Sequence, residues 1–132
     1  MTPRWPERLW IVRHGESAGN VARDFAYQQG LPRIDLTGRD VDVPLSPLGE
    51  QQARALGRWF ASGAEDGRPN VVLASPYLRA METARLFREA GGCPADTRIH
   101  LDERLREKEF GILDGLTGLG IRAEHPQQVE LR

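Results

Sequence analysis

The sequence predicts an α/β fold: a doubly wound, mostly parallel sheet flanked by helices on both faces, as a three-layer sandwich. Three observations carry this. Short apolar runs read as strands: LWIV at 9–12, VVLA at 71–74 and RIHL at 98–101. Helical patterns lie between them, each opening on a Ser-Pro pair. Strands that are apolar along their length and alternate with helices suit a parallel sheet covered on both sides.

Each element follows in chain order. The run at 9–12 leads straight into Arg13-His14-Gly15, so a rigid strand would present two basic side chains at its carboxyl end. Gly15 would permit close backbone approach or a positive φ. Residues 24–45, with Gly30, Pro32, Gly38 and Pro44, show no clear period; so long an excursion in a compact domain is more often functional than idle. SPLGEQQARALGRWFA then reads as a helix capped by Ser46 with Pro47 at its first position. Leu48, Gln52, Ala55, Leu56 and Trp59 form its stripe, and it should end near Ser62-Gly63. SPYLRAMETARLFREAGG repeats the pattern from Ser75-Pro76, with Ala80, Ala84 and Phe87 on one face and Gly91-Gly92 as the stop. Arg79 falls in its first turn, where unpaired N–H groups and the helix dipole favour an anion. The third strand runs into a dense set of carboxylates and cations at 102–109.

Length and composition bound the function. The 132 residues make a single domain, 1–132, with 39% hydrophobic and 28% charged residues and a net charge of -1. No global field therefore argues for nucleic acid or an anionic membrane, and anion binding must be local. Of the 18 basic residues, 17 are arginine and one is Lys108, a skew that suits bidentate phosphate recognition and equally reflects coding bias. Single Cys93, in a Gly-Gly-Cys-Pro loop, has no intrachain partner and reads as inert. Trp5, Trp10 and Trp59 read as packing residues, since no basic groove accompanies them. Neither a secretory leader nor a bilayer-spanning run is recognisable, so the expected location is cytoplasmic.

Two arginines converging on one point can neutralise a phosphoryl group and hold its oxygens. An imidazole among them is a nucleophile or base near neutral pH. Attack by His14 on phosphorus would give a phosphohistidine; a nearby carboxylic acid would protonate the departing alkoxide and then activate water. This scheme needs no metal or cofactor.

These residues resemble the histidine phosphatase superfamily, the phosphoglycerate mutase-like family. RHGES, with Asn20 following, is similar to its signature, in which the histidine is phosphorylated. LTGRDVDVPLSPLGEQQARALG resembles the stretch where a substrate-proximal Thr-Gly precedes a "D-x-P-L-(S/T)-x-x-G-x-x-Q-A" helix start. ASPYLRAMETA is similar to "S-x-(L/Y)-x-R-A-x-x-T-A", and LREKEFGILDGLT to "L-x-E-x-x-(F/Y)-G-x-(L/W)-(E/Q/D)-G". The likeness runs from residue 9 to about 125, in order. It implies that Arg13, His14 and Arg79 form a phosphate pocket, that Asn20 supports it, and that Thr37-Gly38 borders the substrate. Glu107, four residues before Gly111, would be the proton donor rather than Glu103 or Glu109.

The same resemblance implies a second pocket histidine in an "(S/T)-H-G" setting on a later strand. Besides His14 the sequence holds only His100 and His125, and neither precedes glycine. The expectation is therefore an N-terminal portion of the family fold without its C-terminal strand or strands, leaving an unprotected sheet edge. Alone, such a chain should be poorly active and unstable unless it associates, for instance as a homo-oligomer. The implied activity is phosphomonoester hydrolysis of a small-molecule phosphate. Two alternatives stand beside it: a cofactor-dependent phosphoglycerate mutase, whose pattern has arginine and tyrosine where this chain has Lys108 and Phe110, and a phosphate-binding remnant without turnover.

Overall fold

The computed structural model describes residues 5–63, 67–107 and 115–129. In chain order these form helix α1 (Ala18–Gln28), a 3-10 turn at Asp40–Asp42, helix α2 (Pro47–Ala61), strand β1 (Val72–Ala74), helix α3 (Leu78–Glu89), strand β2 (Ile99–Leu101), a 3-10 turn at Glu103–Leu105, helix α4 (Gly118–Glu124) and a last 3-10 turn at Pro126–Gln128. β1 and β2 pair in parallel, Val72 opposite Ile99 and Ala74 opposite Leu101, with α3 as the crossover. The expected mixed α/β class holds, as a small parallel sheet flanked by helices.

Helix α2 begins where its sequence says: Ser46 accepts from the Gly49 N–H and Pro47 opens the first turn. Its end at Ala61, with Ser62 as cap, also matches. The buried stripe differs from the expected one. Gly49, Ala53, Gly57 and Phe60 face inward, whereas Leu48 and Trp59 are exposed. Backbone contact explains the shift. A Cβ at Gly49 would meet the Glu16 carbonyl oxygen at 1.9 Å, and one at Gly57 the Phe87 oxygen at 2.5 Å. The helix thus seats by its smallest residues, against the 14–16 turn at one end and α3 at the other.

Helix α3 starts two residues later than Ser75-Pro76 suggests. Ser75 Oγ accepts from the Tyr77 N–H, which makes a tight turn, and Tyr77 occupies the cap position. Its buried face is Arg79, Thr83, Leu86 and Phe87, while Ala80 and Ala84 are only partly covered. The glycine stop is as expected: Gly91 at φ 92° donates to Arg88 O and Gly92 donates to Phe87 O, satisfying the last carbonyls. Phe60, Phe87 and Cys93 form one core cluster; Leu45, Ala53 and Leu86 form another. Trp10 and Trp59 flank Phe60 edge-on, and Trp5 is exposed instead of packed.

The largest correction is at 9–12, where no strand forms. Its apolar composition fits a strand, but a strand exists only when a neighbour satisfies its backbone, and no ladder reaches this segment among the described residues. Leu9 and Ile11 are left 75% and 92% exposed. The excursion at 24–45 is also partly regular. α1 runs through Gln28, and residues 31–34 are bound to the segment ahead of α4: Ile34 N donates to Gly115 O, and Thr117 donates to Pro32 O and, through its hydroxyl, to Leu31 O.

Candidate active site

Three chain segments meet beyond the carboxyl ends of β1 and β2. The first is the turn at Arg13-His14-Gly15. Gly15 N donates to Thr83 Oγ1 at 3.2 Å, and the Thr83 hydroxyl donates in turn to Arg79 O at 2.7 Å. A Cβ at Gly15 would lie 2.4 Å from Gly49 O, so close approach, not positive φ, is what glycine provides here. The second segment is the start of α3, which brings Arg79. The third leaves β2: Asp102 N donates to Ala74 O, the Asp102 carboxylate caps the following 3-10 turn, and Glu107 emerges just beyond it.

His14 is 15% exposed, with Nδ1 2.6 Å from Gly15 O and Nε2 3.2 Å from Glu107 Oε1. A carbonyl accepts only, so Nδ1 carries a proton and Nε2 is the basic nitrogen of the neutral ring. A carboxylate also accepts only. The Nε2–Oε1 contact therefore holds one proton between histidine and glutamate.

Arg79 is the hub. Its side chain is 5% exposed, and it grips Glu107 through Nε at 3.2 Å and Nη2 at 2.6 Å. Its other edge reaches Asp40: Nη1 donates to the backbone oxygen at 2.8 Å and lies 3.3 Å from Oδ1, while Nη2 lies 3.4 Å from Oδ2. The guanidinium carbon also sits 4.8 Å from the centroid of the buried Tyr77 ring. Burial opposes the charge on both partners, yet the charged hydrogen bonds prevail. They hold the Arg79 guanidinium above its ordinary value against Glu107 and Asp40, and the Glu107 carboxyl below its own against Arg79 and His14.

Of the residues singled out in the sequence, the structure joins His14, Arg79 and Glu107. It does not join the others. Arg13 is exposed, with no hydrogen bond or ion pair among the described residues; it lines a cleft of about 370 Å³ together with His14, Gly15, Gln52 and Thr83, and makes neither kind of contact with Arg79 or Glu107. Asn20 is taken up in the α1 capping box: its Oδ1 accepts from Ser17 N at 2.9 Å and its own N–H donates to Ser17 Oγ. Thr37 and Gly38, the latter at φ 86°, are exposed on the loop leading to Asp40. Lys108, Glu109, Phe110 and Gly111 lie outside the described residues. Sequence reasoning missed Asp40, which carries no local signal, and Thr83, which stood in a quoted motif without a role.

A histidine, a glutamate and a clamped arginine meeting beyond a parallel pair of strands make a candidate site in an α/β protein, of the residue types that acid–base and anion-binding chemistry uses. The chain belongs to the histidine phosphatase superfamily (branch 1), whose family model matches residues 9–132. It is 35% identical over 107 residues to fructose-2,6-bisphosphatase TIGAR of Xenopus tropicalis, covering 81% of this chain and 34% of that protein. It is 38% identical over 116 residues to the 2,3-bisphosphoglycerate-dependent phosphoglycerate mutase of Thermobifida fusca, covering 88% and 41%. Among solved structures, mycobacterial glucosyl-3-phosphoglycerate phosphatase in complex with VO3 superposes with a TM-score of 0.62 at 30% identity, over 89% of this chain and 46% of that one. The chain thus spans between a third and a half of the length of these relatives.

Proposed function

We propose that this chain carries the nucleophile half of a phosphomonoesterase acting on small-molecule phosphate esters through a phosphohistidine. The observation that carries the reading is the junction of His14, Glu107 and Arg79 from three separate segments. An entering phosphoryl dianion takes the guanidinium of Arg79, with Arg13 turning in from the adjacent position and Thr37-Gly38 bordering the ester group. The dianion offsets the Arg79 charge that helps hold the Glu107 carboxyl low, so the shared proton passes to Glu107 and the Nε2 lone pair of His14 is freed. Nε2 then bonds to phosphorus as the ester P–O bond breaks, and Glu107 gives its proton to the leaving oxygen. In the second step Glu107 takes a proton from water, the oxygen attacks phosphorus, and the P–N bond breaks to release phosphate. Asn20 acts at one remove, by fixing the α1 start behind His14.

Relatives named as phosphatases and as a mutase both match, and the first half-reaction written here would serve either activity. Lys108 and Phe110, in place of the arginine and tyrosine of the mutase pattern, favour hydrolysis. Following the fate of a ³²P-phosphoryl group from a labelled ester separates the readings. Passage to water supports phosphatase and passage to 3-phosphoglycerate supports mutase; label retained at one per chain supports a phosphate-binding half-site, and no uptake defeats the proposal. The expected location is cytoplasmic and the expected ligand a small phosphate ester, with a second copy of the chain as its expected associate.

A further inference from the structure

We propose that Gln52 is a positioning residue for His14: its side-chain oxygen holds the Gly15–Glu16 peptide so that Gly15 O keeps the imidazole proton on Nδ1 and leaves Nε2 as the nucleophilic nitrogen. The use of that nitrogen in phosphoryl transfer rests on the function proposed above; the placement of the proton does not. A neutral imidazole carries one N–H and here faces two acceptors. Gly15 O lies 2.6 Å from Nδ1, and Glu107 Oε1 lies 3.2 Å from Nε2. A proton on Nε2 would be donated to Glu107 and leave no lone pair there to attack phosphorus. The outcome depends on how well Gly15 O is aimed and polarised.

Gly15 O and the Glu16 N–H are the two ends of one planar peptide group, and Gln52 Oε1 accepts from that N–H at 2.8 Å. The peptides on either side are tied elsewhere: Gly15 N donates to Thr83 Oγ1, and Glu16 O accepts from Ser46 N. With both neighbours fixed, the Gly15–Glu16 peptide keeps one soft motion, rotation about the line joining its two Cα atoms, and a glycine at one end lowers the steric resistance to it. That rotation swings Gly15 O out of line with Nδ1. One hydrogen bond at each end of the peptide opposes it, and Gln52 supplies the one that does not involve His14. The same bond polarises the carbonyl and makes it a stronger acceptor. Gln52 itself is exposed on α2, so removing its amide leaves the core intact.

Ring ¹⁵N shifts of the 132-residue protein, labelled at histidine and measured where the His14 ring is neutral, give the ratio of Nδ1–H to Nε2–H forms. The wild type should hold mainly Nδ1–H. Gln52→Met, of similar length but without an acceptor, should lower the ratio about three- to tenfold, and Gln52→Ala should do the same. Gln52→Glu keeps an oxygen in reach of Glu16 N and should leave the ratio at or above the wild-type value. Gln51→Met, at the neighbouring exposed glutamine, should change it by less than about twofold. An unchanged ratio in Gln52→Met and Gln52→Ala overturns the proposal. So does a wild type with its proton mainly on Nε2, or an equal fall in Gln52→Glu or Gln51→Met. The initial rate of ³²P-phosphoryl uptake should follow the Nδ1–H fraction across the variants. A wild type that takes up no label defeats the phosphohistidine reading instead, while the ring shifts still decide what Gln52 does.

Discussion

At the residue scale, the candidate site is a competition for one arginine. Arg79 was legible from its place in the first turn of a helix and His14 from the Arg-His-Gly that follows an apolar run, although no strand forms there, whereas Glu107 was told from Glu103 and Glu109 only by the motif resemblance. Asp40 was not legible, because it sits in an aperiodic segment and becomes relevant only through a contact with a residue 39 positions away. The depressed Glu107 carboxyl has a consequence for stability. Since its folded value lies below its unfolded one, the Arg79–Glu107 pair contributes stability above the ordinary glutamate range, and that contribution is lost as pH falls through the depressed folded value. Glu107 is 46% exposed, which limits the contribution to about 0.5 kcal/mol. Chemical denaturation of the wild type and Glu107→Gln should therefore differ by that amount at neutral pH and converge in acid. A gap that widens in acid would contradict the assignment.

At the scale of elements, the site depends on how closely α2 approaches the histidine turn. Gly49 and Gly15 meet backbone to backbone, and Ser46 ties the two segments by donating from its N–H to Glu16 O and from its hydroxyl to Glu16 Oε1. The α2 boundaries could be read from Ser46, Pro47 and Ser62 because caps are local chemistry. Its buried face could not, since periodicity counts apolar side chains and this helix seats on glycine and alanine. Gly49→Ala sets a methyl group against the Glu16 backbone and should cost about 1–3 kcal/mol in urea unfolding, with shifts in the His14 ring resonances. Gly63→Ala, whose Cβ would sit 3.5 Å from the nearest atom, should cost less than half as much. Equal losses would mean that the Gly15–Gly49 contact does not set the site.

At the scale of the whole molecule, the described sheet is two strands wide, and apolar residues in it and in the flanking segments are under-covered. Leu9, Ile11, Val71, Leu73 and Leu101 are all more than half exposed. The expectation of a strand at 9–12 is not met: apolar composition was visible in the sequence, but the neighbour that would pair with it was not. Exposed apolar strands invite association. Sedimentation velocity should show concentration-dependent self-association, and the double variant Leu73→Lys/Leu101→Lys should reduce it without lowering the melting temperature; a monodisperse wild type at high concentration would refute this. The central claim, that His14 is the phosphoryl acceptor, is tested most directly by quenching the protein after brief exposure to a ³²P-labelled phosphate ester and mapping the label. The account predicts an acid-labile, base-stable phosphoryl group on the peptide bearing His14, lost in His14→Ala and strongly reduced in Arg79→Ala. Label on any other residue, or label that persists in His14→Ala, would contradict it.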